Sequence, residues 1–351
     1  MTPTLRTEKV RYNYRLRPGA EAERHLTREN GRSRWLWNQC IDTARTTRNS
    51  GEPITGKLLS ATLTQLRSEI DWLAEGSQNV QEQTVRTYLK ARRDAFKVKG
   101  RGWPTFESKH RSRPSLNYTR NGFTLKTDST GKLRLKIAGG VMIPVVWSRQ
   151  LPTAPTSARV FQDSLGHWYV SFVVEREIEP WEAPTEGTGS SIGIDWGVKT
   201  VATTTDPECD IKHAGYAKKA ASQLGKYQRR MARRKPKPGQ TSSVAYRKAK
   251  RDAAKAHRKV ASKRLHDQRQ AARKIVDRYD NIADENFTPK FMAKSRLARK
   301  AADAGIGQQR RLLAEYAARA ERNHVLVNPA YSAQSCSVCF VTRSTRQADV
   351  I

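Results

Sequence analysis

Three places in the 351-residue chain carry residue types at spacings that could do chemistry. The first is Asp195, where the short apolar run Ser191-Ile192-Gly193-Ile194 ends on an acid, Gly197 turns the chain, and the β-rich stretch through Val201 to Asp206 returns. A hairpin of this kind holds one carboxylate rigidly at a strand end, where a hard cation such as Mg²⁺ can be shared with a phosphate. An isolated Asp ahead of a Gly also serves as an ordinary turn residue. The second place lies about ninety residues on, where Asp284 and Glu285 sit at the passage from a helical pattern to a short strand. Adjacent strand residues point to opposite faces, so only one of the two can share a site with Asp195; the alternative is a solvated acidic turn. The third is Cys336-Ser337-Val338-Cys339, the form of a zinc-ribbon knuckle, in which two thiolates grip one Zn²⁺ from a tight turn. Tetrahedral zinc needs four ligands, and no Cys or His follows Cys339, so the pair makes half a site. A redox CxxC is the other reading, but no thioredoxin-like βαβ pattern precedes it.

Charge indicates what such a site would meet. Sixty-six Lys and Arg against thirty-three Asp and Glu leave a net +33, which suits a polyanion partner and makes nucleic acid the first expectation. The excess concentrates between Ala217 and Arg278, where twenty-two Lys or Arg face only Asp252, Asp267 and Asp277. The breaker Lys235-Pro236-Lys237-Pro238-Gly239 divides this stretch into two basic helices. Leu265, Ala272 and Val276 give the second a narrow apolar seam, leaving its other faces for phosphate. A net of about +19 over this stretch is beyond what i,i+4 ion pairing could neutralise on an ordinary solvated helix. The residues expected to contact phosphate are Lys226, Arg229, Arg230, Arg233, Arg234, Lys259 and Lys263 here, and Arg34 upstream. Hydrophobic residues make up 37% of the chain, enough for packed cores and two or three domains. No stretch reaches membrane-span length and the N-terminus has no signal-peptide core, so a cytoplasmic protein is expected. Cys40 and Cys209 stand alone, which argues against a disulfide framework.

The elements that position these residues follow from periodicity. Val10, Tyr12, Tyr14 and Leu16 alternate with polar residues as one strand, ending before Pro18-Gly19. From about Ala20 to Phe96 the period is helical, through Leu59, Leu63, Leu66 and Ile70 and again through Val85, Tyr88 and Leu89. Two hairpins follow, turning at Asp128-Ser129-Thr130-Gly131 and Asp163-Ser164-Leu165-Gly166. The Pro/Gly/Thr-rich stretch that follows reads as a linker.

The segments Gly193-Ile194-Asp195-Trp196-Gly197-Val198, His266 with Arg278-Tyr279-Asp280-Asn281-Ile282-Ala283-Asp284-Glu285-Asn286-Phe287, and Tyr331 to Cys339, in this order, resemble the signatures of TnpB proteins, the OrfB-type products of insertion sequences. Upstream, Tyr14-Arg15-Leu16-Arg17-Pro18, Arg34-Trp35-Leu36-Trp37-Asn38 and Gly102 to Lys109 resemble the family's N-terminal segments, so the similarity covers nearly the whole chain. The resemblance implies an α/β protein with a RuvC-type RNase H-like nuclease core over 192–335, preceded by a β wedge domain over 1–18 and 116–180. A helical recognition lobe over 19–115 interrupts the wedge, a linker occupies 181–191, the basic helices span 217–278, and 336–351 form an incomplete zinc ribbon. It further implies a transposon-derived guide RNA, a DNA target cut by metal-dependent hydrolysis in a bacterial or archaeal nucleoid, Asp195 as the first RuvC carboxylate and Glu285 as the second, with Mg²⁺ between them.

The chain departs from the family at its end, where a second Cys pair and a third catalytic acid are expected and the sequence stops first. Asp349, in Gln347-Ala348-Asp349-Val350-Ile351, could stand as that third acid, but no second Cys pair precedes it. Thr105 and Glu107 occupy positions where the family has basic residues. Two classes of function follow: an RNA-guided endonuclease, impaired here by truncation, or a nuclease-dead RNA-guided DNA-binding protein acting as a repressor. A protein-only, structure-specific nuclease is a third, which would leave the N-terminal lobes without a task.

Overall fold

The computed structural model describes residues 7–49, 51, 53–109, 112–177, 189–237, 239–286 and 296–328. The chain divides into two compact units, Met1–Ile178 and Glu179–Ile351. No helix among the described residues is long and apolar enough to cross a membrane.

The first unit opens with β1 (Thr7–Leu16) and four helices: α1 (Ala20–Asn49), α2 (Gly56–Glu69), α3 (Asp71–Ala74) and α4 (Gln78–Lys97). Six strands follow: β2 (Ser115–Thr119), β3 (Phe123–Thr127), β4 (Leu133–Ile137), β5 (Met142–Val146), β6 (Ser157–Gln162) and β7 (Trp168–Glu177). They form one antiparallel sheet in the order β2-β6-β7-β1-β5-β4-β3. Its two edges, β2 and β3, are joined by only Arg120–Gly122. Six strand spacings of about 4.8 Å would hold the edges of a flat sheet roughly 29 Å apart, whereas this link reaches about 14 Å at most. The sheet therefore curls toward a barrel, enclosing Tyr14, Leu116, Leu135, Ile143, Val170 and Phe172.

The expected β and helical domains pack as one compact unit, because α1 runs through both cores. Ala22 and Leu26 at its start belong to the barrel core, while Leu36, Cys40, Ile41 and Ala44 pack with Leu59, Leu63, Val85 and Tyr88 of α2 and α4. Both hairpin turns use the same local chemistry. Asp128 Oδ1 accepts from the N–H groups of Thr130 (2.8 Å) and Lys132 (2.9 Å), and Asp163 Oδ1 from those of Leu165 (2.8 Å) and His167 (2.9 Å). Hydrogen bonds from the Thr130 hydroxyl and the Lys132 N–H, with Arg134 alongside, hold the Asp128 carboxyl well below the usual carboxylate range. A carboxylate depressed on folding stabilises above its unfolded pKa, and that contribution fades as pH falls through the folded value. The Tm advantage of the wild-type chain over Asp128→Asn is therefore expected at neutral pH and should close as the pH drops below about 4; a gap that stays constant in acid melts would contradict this.

The second unit contains β8 (Ser191–Trp196), β9 (Thr200–Thr204), β10 (Ile211–Lys212), α5 (Tyr216–Arg233), α6 (Val244–Arg278), β11 (Asn281–Glu285), α7 (Ala298–Ala304), α8 (Ile306–Arg319) and β12 (Asn323–Val327). Its five-stranded mixed sheet runs β10-β9-β8-β11-β12, with β8, β11 and β12 parallel and β9 antiparallel to β8. Ile192, Ile194, Trp196 and Ile282 point to one face, which is covered by Ala272, Ile275 and Val276 of α6 and Leu313 and Ala317 of α8. The buried seam of α6 runs through Ala249, Ala253, Gln268, Ala272, Ile275 and Val276, and the expected Leu265 is only half-buried. The turn between β8 and β9 needs Gly197: a Cβ there would lie 2.8 Å from the Thr200 carbonyl oxygen. Gly197→Ala should cost about 1–3 kcal/mol, read as a lower Tm, because backbone on both sides has to move.

Candidate metal centre

The alternation of strand side chains builds the site. In the parallel ladder Ala283 pairs with Gly193 and Asp284 with Ile194, so one further step brings Glu285 beside Asp195. Ile192, Ile194 and Trp196 turn toward the helices, which sends Asp195 to the opposite face, where it is exposed. On β11 the same alternation buries Asp284 completely and leaves Glu285 partly open beside Asp195. Glu285 lies against the Asp195 carboxyl and near the Trp196 backbone N–H. Burial first, and then the neighbouring Asp195 carboxyl and its charge, hold the Glu285 carboxyl above the usual carboxylate range. Two carboxylates this close resist ionising together. A hard divalent cation would use both as oxygen donors, so the pair fits Mg²⁺ or Mn²⁺. Among the described residues no third His, Cys, Asp or Glu joins them in a metal-ligating group.

Behind the pair, on the helix side, Asp284 is 0% exposed. Its Oδ1 accepts from the Trp196 indole N–H and its Oδ2 from Arg310 Nε at 3.0 Å, while His324 Nε2 lies 3.4 Å from Oδ2. Burial pushes this carboxyl up, but His324, Trp196 and Arg310 beside it outweigh burial and hold Asp284 below the usual range. Sequence reading reached neither Arg310 nor His324. Their elements had local signals: Leu312, Leu313, Tyr316 and Ala317 keep helical period, and Val325-Leu326-Val327 before Asn328-Pro329 is a strand-like run.

The basic residues fall in three settings. Lys226, Arg229, Arg230 and Arg233 on α5, Arg234 just past its end, and Lys259 and Lys263 on α6 are all exposed. Others on α6 are engaged within the unit: Arg264 binds Asp303 at 2.9 Å, Lys274 donates to the Glu208 carbonyl, and Arg278 pairs with Glu208 at 2.7 Å. The exposed basic surface is therefore narrower than the sequence suggests, because the end of α6 nearest the sheet spends its cations on holding the fold. Asp303 also caps α5, accepting from Ala217 N at 3.0 and 2.9 Å where Gly215 offers no side chain. Arg34 lies half-buried on α1 in the first unit.

Two N-terminal segments singled out in the sequence meet each other. Asn38 Nδ2 donates to the Glu107 carbonyl (3.1 Å), its Oδ1 accepts from the Glu107 N–H (2.8 Å), and Trp37 Nε1 donates to the Thr105 carbonyl (3.0 Å). These bonds go to main chain, which leaves the side chains at 105 and 107 unconstrained by this pairing. Cys336, Cys339 and Asp349 lie outside the described residues.

The OrfB_IS605 family model, described as "Probable transposase", matches residues 171–320. A Streptomyces pristinaespiralis protein named "Putative RNA-guided DNA endonuclease" is 28% identical over 95% of this chain and 81% of its own length. The Escherichia coli K12 protein "Putative RNA-guided DNA endonuclease InsQ" is 24% identical over 93% of this chain and 82% of its own. Among solved structures, a Cas12f1–sgRNA–target DNA complex shares the fold at a TM-score of 0.57 and 12% identity, covering 97% of this chain and 92% of that one. The family match falls on the segment that builds the Asp195–Glu285 pair, and the similarity to the two relatives extends over nearly all of the chain.

Proposed function

We propose that this protein is an RNA-guided DNA endonuclease of a transposable element, with a RuvC-type RNase H-like core in its second unit and a wedge-like barrel with an inserted recognition lobe in its first. The observation that carries the reading is the juxtaposition of Asp195 and Glu285 on neighbouring parallel strands, side by side on the sheet face left open by the helices. The names of the two relatives and the partners in the Cas12f1 structure support a guide RNA and a DNA target. Asp195 and Glu285 would hold the catalytic cation, which supplies a polarised phosphate and an activated water when bound. The chain's own part is to hold two oxygen donors at a fixed separation and to present them to a backbone drawn in by the basic helices. A structural zinc at Cys336 and Cys339 belongs to the same proposal.

The test is to produce the chain with RNA transcribed from the transposon end and to measure RNA retention and target cutting in Mg²⁺. Retention against excess unrelated RNA, with cutting that requires a sequence match to the guide, supports the endonuclease. Retention without cutting selects the binding-only protein. Displacement by unrelated RNA as readily as by the same RNA overturns guidance altogether.

The exposed arginines give a further expectation. Replacing Arg229, Arg230, Arg233 and Arg234 together by Ala should lower RNA affinity and flatten its salt dependence by about 2–3 in the log–log slope, since each lost phosphate contact removes about 0.7 for single strands. An unchanged slope would place RNA elsewhere.

A further inference from the structure

We propose that Asp284 is a positioning residue for the metal pair: through Trp196, Arg310 and His324 it sets where Asp195 and Glu285 stand. The inference rests on the reading above that these two residues hold the cation. Asp284 precedes Glu285, and Trp196 follows Asp195. The hydrogen bond from the Trp196 indole to Asp284 is thus the counterpart, on the opposite face of the sheet, of the contact between Asp195 and Glu285. It acts where the backbone ladder gives out, because the pairing of β8 with β11 ends at Asp284 and Ile194, one residue short of the two acids.

The same carboxylate receives Arg310 from α8 at 3.0 Å and faces His324 of β12 at 3.4 Å, so three further elements meet on one group of β11. Fixing both side chains on the buried face leaves each neighbouring residue little freedom on the open one, since strand side chains alternate. Stability alone does not call for such a device. A buried Asp–Arg pair is often no more stabilising than apolar residues of equal volume. What it adds is direction: each donor has one acceptable geometry, and satisfying all of them fixes the spacing of β8 against β11. Outer groups that orient metal ligands in this way typically contribute 10–100-fold to metal affinity.

The test uses the full chain labelled with 5-fluorotryptophan. Of the eight Trp signals, the one missing in Trp196→Phe belongs to Trp196. Mn²⁺ is the probe, and its paramagnetic broadening of that signal reports occupancy at Asp195, with melting curves recorded alongside. Wild type should show broadening that Asp195→Ala removes. In Asp284→Asn the Trp196 signal should shift, as its acceptor loses charge, and the Mn²⁺ midpoint should rise at least about tenfold in chain that is still folded. A lower Tm with a wild-type midpoint would make Asp284 merely structural and overturn the proposal. Should Asp284→Asn not fold, Arg310→Lys and His324→Gln are titrated in the same way, and wild-type midpoints in both overturn it. Broadening that persists in Asp195→Ala would instead remove the metal pair itself, and the proposal with it, which is a separate and recognisable failure.

Discussion

Asp195→Ala is expected to reduce guided DNA cleavage by roughly three orders of magnitude or more while RNA binding stays within about twofold of wild type. The size follows from the number of donors. Asp195 and Glu285 are the two acids that converge on the open face among the described residues, and a cation held by one of them loses both its affinity and its fixed position. Metal-assisted displacement depends on that position, so the loss falls on the chemical step rather than on substrate capture. Stability should move the other way, or not at all. Asp195 is exposed, and its removal relieves Glu285 of a like-charged neighbour. Functional carboxylates commonly cost their fold in this manner. Single-turnover cleavage, RNA binding and a melting curve on one preparation check all three parts. Cleavage close to wild type would remove Asp195 from the active centre, and a collapsed Tm would mean the acid serves the fold.

The two acids were legible in the sequence to different degrees. Asp195 ends an apolar run ahead of a Gly turn, and the structure adds the reason for that glycine, namely the Thr200 carbonyl 2.8 Å from where a Cβ would sit. Asp284 and Glu285 were legible only as a pair of which one faces inward, because alternation says that neighbours part but not which way the sheet is covered. The resemblance to TnpB favoured Glu285, and the structure sets Glu285 beside Asp195 on the open face because α6 and α8 lie on the other. Arg310 and His324 could not be found from any local pattern. Each becomes significant only when α8 and β12 fold back over the end of β11, more than twenty residues away along the chain.

The same distinction runs through the fold. Both hairpins were readable because their turns are made by four consecutive residues, with Asp accepting from the N–H groups that follow and Gly131 and Gly166 supplying positive φ of 76° and 80°. Curling of the seven-stranded sheet was not readable, since the three-residue link that forces it matters only once the remaining strands have placed β2 and β3 at opposite edges. On α6, Leu265 reads as core and is half-buried, while Gln268, a polar residue in line with that seam, is buried and donates to the Gly305 carbonyl at 3.1 Å. Hydrophobicity alone cannot anticipate a polar side chain buried to satisfy a helix junction.

Glu29→Ala is expected to destabilise the first unit by about 3 kcal/mol, the largest effect on the fold that any single substitution named above should have. In the structure Glu29 is 1% exposed, with Oε1 on Arg32 Nη1 at 2.7 Å and Oε2 accepting from the Ser77 backbone N–H at 3.0 Å. Ser77 is the N-cap of α4, its hydroxyl accepting from Val80 N, so Glu29 fastens the start of α4 to the middle of α1. Arg32 extends the network to the Trp72 carbonyl (2.6 Å) and to Glu75 (2.7 Å), enclosing the loop between α3 and α4. No Cβ fits at Gly76 within that loop, because it would lie 2.5 Å from Arg32 Cδ. Truncating Glu29 leaves a buried N–H without an acceptor and half of a buried ion pair. Breaking such a pair costs about 3–5 kcal/mol, and the lower end applies because Arg32 keeps Glu75 and the Trp72 carbonyl. Glu29→Gln retains an amide oxygen for Ser77 and should lose less than half as much. For a unit of this size the Ala variant should melt roughly 6–12 °C lower. A drop under about 3 °C would show that the Arg32–Glu75 pair alone holds the loop, leaving α1 and α4 joined by their apolar contacts.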